Sequence, residues 1–389
     1  MTRVAIVGGG LGGLATAAFL YQAGVPAVVY EQARELREVG AGIMVAPNAA
    51  RMLRRLGVLD AFRERAVQLD VGWEFRRWQD GTVLSAQDLT SESARLYGEN
   101  TYTVHRADLL DVINGALPAD AVKLGKRLSG FSASGAGVRL DFADGERAEA
   151  DVLIGADGIH SLIRGVLTEP VPPTHSGLCA FRALVPAAEA PELACRPAQV
   201  VWLGPGRHVV HYPVSRGDLI NLVAIAPAGD YTTESWTATA TVEEFLAEFE
   251  CWDDRLTRLI KASGRPGRWA LLVRQPLSRW TSGPVTVLGD AAHPMLPFLG
   301  QGAAQAFEDA AVLASCLARG RTDPAGALSR YESERIGRAS RVQQGSNART
   351  DYNHLPDGPE QRARDDALSA ADPLTANEWI YAHDPFVAG

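Results

Sequence analysis

The chain of 389 residues has no run of 18 or more apolar residues, so no segment reads as a membrane-spanning helix. Its start, Met1-Thr2-Arg3-Val4, runs straight into an apolar strand and lacks the charged, apolar and cleavage regions of a signal peptide. Basic residues are the minority, 38 against 46 acidic, for a net charge of −8. With no basic stripe to neutralise phosphates, this balance argues against a nucleic-acid partner. Cysteine is scarce and scattered (Cys179, Cys195, Cys251, Cys316), with neither metal-ligand spacing nor a disulfide framework. A reducing cytoplasm is the expected location. The eight histidines are too dispersed to suggest a metal centre. Internal repeats and low-complexity linkers are also missing.

What is present is globular: 46% hydrophobic and 22% charged residues, enough for a sizeable core. The length suits two interlocked domains. Val4 to Val7 reads as a buried strand, Leu14 to Ala23 as a helix stopped by Gly24, and Ala27 to Tyr30 as a second strand. This βαβ unit is the clearest architectural signal. Arg51 to Arg65 and Ala107 to Leu117 have helical periodicity. Arg76 to Leu84 reads as a hairpin about Asp80-Gly81, and Val138 to Phe142 with Ala148 to Ile154 as strands about Asp144-Gly145. Ser176 to Ile225 is β-rich. After it come a strand at Val285 to Leu288 and a helix from about Ala303 to Leu317. Residues 349 to 371, charged and containing proline, read as a surface helix with loops.

Between the first strand and helix lies Gly8-x-Gly10-x-x-Gly13. Gly8 permits a tight turn, Gly10 lets backbone approach a pyrophosphate, and Gly13 allows close helix–strand packing. The helix start then offers free N–H groups to phosphates. Glu31 ends the second strand, 18 residues after Gly13, where an acid can hold a ribose 2′-hydroxyl and repel a 2′-phosphate. The motif does not distinguish FAD from NAD. Two further segments bear on that choice: Asp151 to Arg164, containing Gly155-Ala156-Asp157-Gly158, and Val285 to Pro294, containing Gly289-Asp290. The second is followed by Gly300-Gln301-Gly302-Ala303. A carboxylate at a strand end can grip a hydroxylated chain such as a ribityl group, and glycines before a helix bring N–H groups against a ligand.

Together, in this order and over nearly the whole chain, these segments resemble the single-component FAD-dependent aromatic hydroxylases, the p-hydroxybenzoate hydroxylase-like flavoprotein monooxygenases. The branch resembled most holds salicylate hydroxylase, 3-hydroxybenzoate 6-hydroxylase and hydroxynicotinate monooxygenase. The stretches that support it are Val39-Gly40-Ala41-Gly42-Ile43, His105 to Leu109, Phe181 to Pro186 and Trp202 to His208. The resemblance implies an α/β (α+β) fold: a Rossmann-like FAD-binding domain with a β-sheet-rich substrate domain inserted. The expected division is 1–71, 101–175 and 276–348 for the FAD domain, 72–100 and 176–275 for the substrate domain, and 349–389 as a C-terminal helical and loop segment.

By the same resemblance, Glu31 binds the adenosine ribose, Arg106 sits near the pyrophosphate, and Asp290 binds the ribityl chain. Gly300, Gly302 and Ala303 bring a helix start to the flavin pyrimidine, where its positive end suits the reduced anion. Asp157 and Arg164 resemble a motif that touches FAD indirectly and NADH or NADPH transiently; a strand-to-helix salt bridge is the plainer reading. NAD(P)H would reduce FAD, O2 would then give a C4a-hydroperoxide, and that electrophile would hydroxylate an electron-rich ring. No second glycine fingerprint appears, so the reductant is expected without a Rossmann domain of its own.

The partner expected is a small aromatic substrate, a phenolic or hydroxylated heteroaromatic acid, with salicylate as the first single guess. Oligomeric state is open, with a homodimer one candidate. A urate-type ring, a larger phenol, or a flavin-binding redox sensor without turnover are the alternatives. A free phenol has a pKa of ~10, so a base is needed beside it. His208 and Tyr212, four apart on one strand, face the same side and align with the substrate-layer His and Tyr of hydroxybenzoate and hydroxynicotinate hydroxylases. A half-buried polar sheet face would show the same spacing. His211 points to the opposite side, and His293 reads as shaping the flavin loop. Met44, Pro297 and Phe298 stand where relatives carry titratable groups; they cannot act as acid or base, and would line an aromatic slot or pack in the core.

Overall fold

The structure, a computed structural model, describes residues 2–36, 41–90, 92–134, 137–169, 171–233, 238–372 and 374–387. Val39 and Gly40, part of one stretch quoted above, lie outside them. The apolar run Val4–Val7 is buried throughout and pairs in parallel with Ala27–Tyr30 on one side and Val152–Gly155 on the other. Such continuous apolar strands belong in a sheet covered on both faces. The sheet is completed by Val122–Lys123 at one edge and by Val285–Val287 and Thr281–Ser282 at the other. Helix Leu11–Gln22 packs on it, helix Gly302–Arg319 packs against that helix, and both present buried alanine-rich faces.

A second, seven-stranded sheet runs in the order Gly267–Val273, Thr174–Pro186, Leu219–Pro227, Arg207–Val214, Ala198–Gly204, Val71–Arg77, Val83–Asp88. Its pairings are antiparallel except where Ala198–Gly204 meets Val71–Arg77. Aromatic and aliphatic side chains fill one face, including Phe181, Trp202, Phe245 and Phe249. The other face turns toward the nucleotide-binding sheet and walls the cleft described below.

Two expectations are refined. The helix expected over 51 to 65 is two: Pro47–Leu56 ends at Gly57, whose φ of +79° makes a left-handed C-terminal cap, and Leu59–Arg63 follows. The expected strand 148–154 is shared between sheets. Arg147–Ala150 pairs antiparallel with Gly137–Phe142, whereas Val152–Gly155 joins Val4–Val7. The switch falls at Asp151, whose carboxylate accepts a hydrogen bond from the Arg3 backbone N–H at 2.7 Å. Over residues 349 to 371 the helix Pro324–Asn353 runs through 349 unbroken, and Pro359–Ala370 is the expected surface helix, with Gln361, Arg364 and Asp365 as its buried face. Two of its charges pair within the chain. Arg364 binds Asp365 at 2.7 Å, and Asp365 also binds Arg77 of the large sheet at 3.0 Å.

His211 occupies the packed face of its strand, beside Trp202, and its Nε2 has no hydrogen-bond partner. Burial, reinforced by the charges of Arg76 and Arg255, pushes its pKa down to about 3. In the unfolded chain an imidazole titrates near 6.5. As pH falls through that value, the unfolded chain takes up a proton that the folded chain refuses. Stability from this residue is therefore present above the unfolded pKa and lost as pH falls, by about 2 kcal/mol at pH 5. His211→Leu should show a shallower loss of unfolding free energy between pH 7 and pH 5, by about that amount. Parallel pH profiles for variant and wild type would contradict the assignment.

Candidate active site

One cleft of about 1390 Å³ runs between the two sheets. Single small-molecule sites span roughly 300–1,000 Å³, so this one has room for a large cofactor and a second, small ligand. Most of the residues selected from the sequence for the site line it; Gly13, Arg164 and His293 do not. Gly13 lies behind the loop, where a Cβ would come within 1.9 Å of the Gly8 carbonyl oxygen. Gly8 itself has φ of +108°, and a Cβ there would meet the Ala156 carbonyl oxygen at 2.2 Å. Both positions therefore require glycine for the turn to close.

Gly10 caps the helix Leu11–Gln22, and Gly302 opens the helix Gly302–Arg319. At each, the Cβ direction meets no heavy atom within 4 Å. Two helix starts with free N–H groups thus face the same open cleft, a double cradle for anionic or electron-rich groups. Glu31 borders the first. Its carboxylate accepts hydrogen bonds from Gly9 N–H at 2.6 Å and Ala33 N–H at 2.7 Å. It therefore shapes the glycine loop as well as facing the cleft.

Asp290 sits in the turn Gly289–Ala291 directly after the strand Val285–Val287. Its side chain is open to the cleft but deep within it, and desolvation raises its pKa against the pull of His293 and Arg106. Arg106 starts the helix Arg106–Asn114, and its enclosure lowers its pKa to about 10 despite Asp290. Asp157 lines the cleft with Oδ2 taken by the Leu162 N–H at 2.9 Å, while Oδ1 has no partner. Burial raises its pKa. Arg164 is absent from the cleft wall: its guanidinium binds the carbonyls of Ala291, Ala292 and Gln275 at 3.0–3.2 Å. It braces the turn that carries Asp290, and neither the expected salt bridge to Asp157 nor a ligand contact is its role here. His293 is likewise away from the cleft, bonded through Nε2 to Asp309 at 2.6 Å.

The other end of the cleft is built from alternate residues of neighbouring strands: Gln199 and Val201, His208, Val210 and Tyr212, Val223 and Ile225, Trp269 and Leu271. This period of two puts His208 and Tyr212 on one wall. His208 is buried, its Nδ1 lies 2.7 Å from Nε2 of His354, and Phe298 meets its ring edge-on at 5.0 Å. Nε2 is the ring nitrogen left to the cleft. Desolvation, with His354 adding, holds the His208 pKa well below 6.5, so the imidazole is neutral. Burial pushes Tyr212 up to about 12, against the charge of Arg182, so its hydroxyl stays a donor. Met44 lies beside Gly300, with Pro297 and Phe298 across the turn Pro297–Leu299.

Sequence reasoning missed His354, Arg182, Gln301, Arg349 and Tyr352, all at or against this cleft. Arg182 and Gln301 stand inside quoted motifs, which was the available signal. The other three belong to the segment read as surface.

Paired helix starts, a carboxylate at a strand end and an aromatic chamber beside them define the class: a flavin oxidoreductase that works on a ring. The model for the family described as FAD binding domain matches residues 1–346. The chain is 41% identical over 387 residues to 3-amino-4-hydroxybenzoate 2-monooxygenase of Streptomyces platensis, covering 100% of this chain and 97% of that one. It is 39% identical to 6-hydroxynicotinate 3-monooxygenase of Pseudomonas fluorescens, over 90% of this chain and 91% of the other. A solved salicylate hydroxylase substrate complex superposes with a TM-score of 0.82 at 30% identity, covering 99% and 96% of the two chains. The chain belongs to the FAD binding domain family, as an FAD-dependent aromatic monooxygenase of the salicylate hydroxylase branch. Its bound cofactor is FAD, with NADH or NADPH the family's usual reductant. Among the described residues no helix is long and apolar enough to cross a membrane, and no cluster suits a metal ion.

Asp290→Ala should weaken FAD retention without destabilising the apoprotein, because it removes a carboxylate whose enclosure is already costly. Flavin retained through gel filtration, and unfolding of the flavin-free chain, measure the two effects. Unchanged retention would return Asp290 to a structural role.

Proposed function

We propose that the chain hydroxylates a phenolic ring acid of the 3-amino-4-hydroxybenzoate type, consuming one NAD(P)H and one O2 per turnover and releasing water. The observation that carries this is the His208–His354 pair, which leaves one neutral imidazole nitrogen on the cleft wall beside the flavin site. His208 Nε2 accepts the phenolic proton, which makes the ring a better nucleophile. Tyr212, kept protonated, donates a hydrogen bond that orients the ring or its substituent. Phe298, Pro297 and Met44 flank the slot and exclude water. Glu31, Arg106, Asp157, Asp290 and the Gly10 and Gly302 helix starts hold FAD, which when bound supplies the reduced ring that activates oxygen. Residues 1–71, 101–175 and 276–348 serve as the FAD domain, and 72–100 with 176–275 as the substrate domain.

Salicylate, the first expectation, gives way to an aminohydroxybenzoate because the chain is 41% identical to the enzyme of that name and 33% identical to a Pseudomonas putida salicylate hydroxylase. The test is aerobic turnover of both acids with product identification. A hydroxylated aminohydroxybenzoate formed faster than catechol from salicylate supports the assignment; the reverse order overturns it.

A further inference from the structure

One wall of the cleft is C-terminal: the last turns of the helix Pro324–Asn353 contribute Arg349, Tyr352 and Asn353, and the residues after it add Leu368 and Asn377. Across from them the large sheet contributes Trp73 and Phe75, stacked at 6.2 Å. Arg349 is half-buried, and its guanidinium lies 5.0 Å over the Tyr352 ring. Its charge is felt by the buried phenol of Tyr381, which itself bonds Trp73 at 2.7 Å. Of the other cations on the cleft, Lys126 is answered by Asp144 and Glu146, both at 2.6 Å, and Arg106 by the field of Asp290; Arg182 stacks over Trp269 at 4.7 Å, and Arg127 is exposed. Among the described residues, Arg349 has its ring contact with Tyr352 but no carboxylate within ion-pair distance and no hydrogen-bond acceptor.

A guanidinium on a cleft wall with no acceptor of its own is open to an anion, and its planar fork matches a carboxylate two bonds at a time. Stacking on Tyr352 fixes the plane of that fork but supplies no counter-charge. We propose that Arg349 is the specificity-determining residue for the substrate's carboxylate, binding it at the C-terminal wall while the phenol faces His208. This rests on the function proposed above and extends it: the enzyme selects a ring acid over the same ring without its acid group, and the selection resides outside the large sheet.

The test uses the FAD-loaded enzyme, Arg349→Gln and Arg349→Lys. Binding of 3-amino-4-hydroxybenzoate and of its decarboxylated counterpart, 2-aminophenol, is followed by the change in flavin absorbance, with kcat and KM measured alongside. Charge-assisted hydrogen bonds lost in Arg349→Gln should weaken binding of the acid roughly 10- to 100-fold. Binding of 2-aminophenol should not change, and Arg349→Lys should fall between. Equal losses for both rings would show a structural role and overturn the proposal. So would unchanged binding of the acid, or a loss confined to the KM for NAD(P)H. Because the titration needs no turnover, a ring acid held by Arg349 but never hydroxylated would overturn the function while leaving the anchor standing. If Arg349→Gln retains no FAD, Arg349→Lys decides by the same ratio between the two rings.

Discussion

His208→Ala is expected to lower the rate of ring hydroxylation by about 10²- to 10⁴-fold, the usual contribution of a positioned general base, while FAD content stays normal. The side chain lines the substrate end of the cleft, where it meets His354 and Phe298. Reduction of the flavin should persist in the variant, with more of the oxygen released as hydrogen peroxide. An exposed imidazole would give an acid limb near pH 6.5. In His208 burial moves protonation well below that value, so the wild-type profile should show no loss from this residue between pH 6 and pH 8. Coupled measurement of NAD(P)H, peroxide and product across pH checks both statements. Unchanged coupling would make His208 a sheet residue only, with the ring binding already ionised.

Arg335→Leu is expected to cost about 3–5 kcal/mol of stability, the range for breaking a buried ion network by removing one partner. Arg335 is fully buried and holds Glu308 at 2.6 Å and Asp309 at 2.8 Å. Arg338 and Asn48 also bind Glu308, at 2.7 and 2.8 Å. Against the cost of burial, Arg335 and Arg338 hold Glu308 down at about 2, and His293 and Arg335 keep Asp309 low. Asp309 in turn accepts the Gly289 N–H at 3.1 Å, so the network fixes the turn from which Asp290 projects. Removing Arg335 leaves two carboxylates sharing one enclosed site. The variant should therefore unfold at lower urea and retain less FAD than wild type at equal protein concentration. A loss under 1 kcal/mol would mean that Arg338 and His293 suffice to neutralise the pair.

The parts of the site that were legible in the sequence are those where backbone geometry dictates residue type. Gly8 and Gly13 could be read because any Cβ there collides with a carbonyl oxygen. His208 and Tyr212 could be placed on one wall because strand side chains alternate. His354 and Arg349 could not. They reach the cleft from 141 or more residues beyond His208, in a segment whose charges suggested solvent. Arg364, Asp365 and Gln361 in that segment are buried by pairing with one another and with Arg77, so its inward face carries no apolar stripe to detect. The same masking hides Glu308 and Asp309, acids on the buried side of an otherwise alanine-rich helix. Arg164 was misread for the opposite reason. Its spacing from Asp157 suggested a pair, but its guanidinium reaches carbonyls of the Gly289 turn contributed from 127 and 128 residues away.

The central claim is that one cleft joins FAD to a ring acid and passes oxygen to that ring. The direct measurement is NAD(P)H oxidation by the FAD-loaded chain in air, with hydroxylated product counted per NAD(P)H, in the absence and presence of 3-amino-4-hydroxybenzoate. The account predicts slow oxidation without the acid, and with it a faster oxidation that yields close to one product per NAD(P)H. Oxidation unaffected by the acid, or stimulated with peroxide as the sole product from every phenolic acid tried, would contradict it.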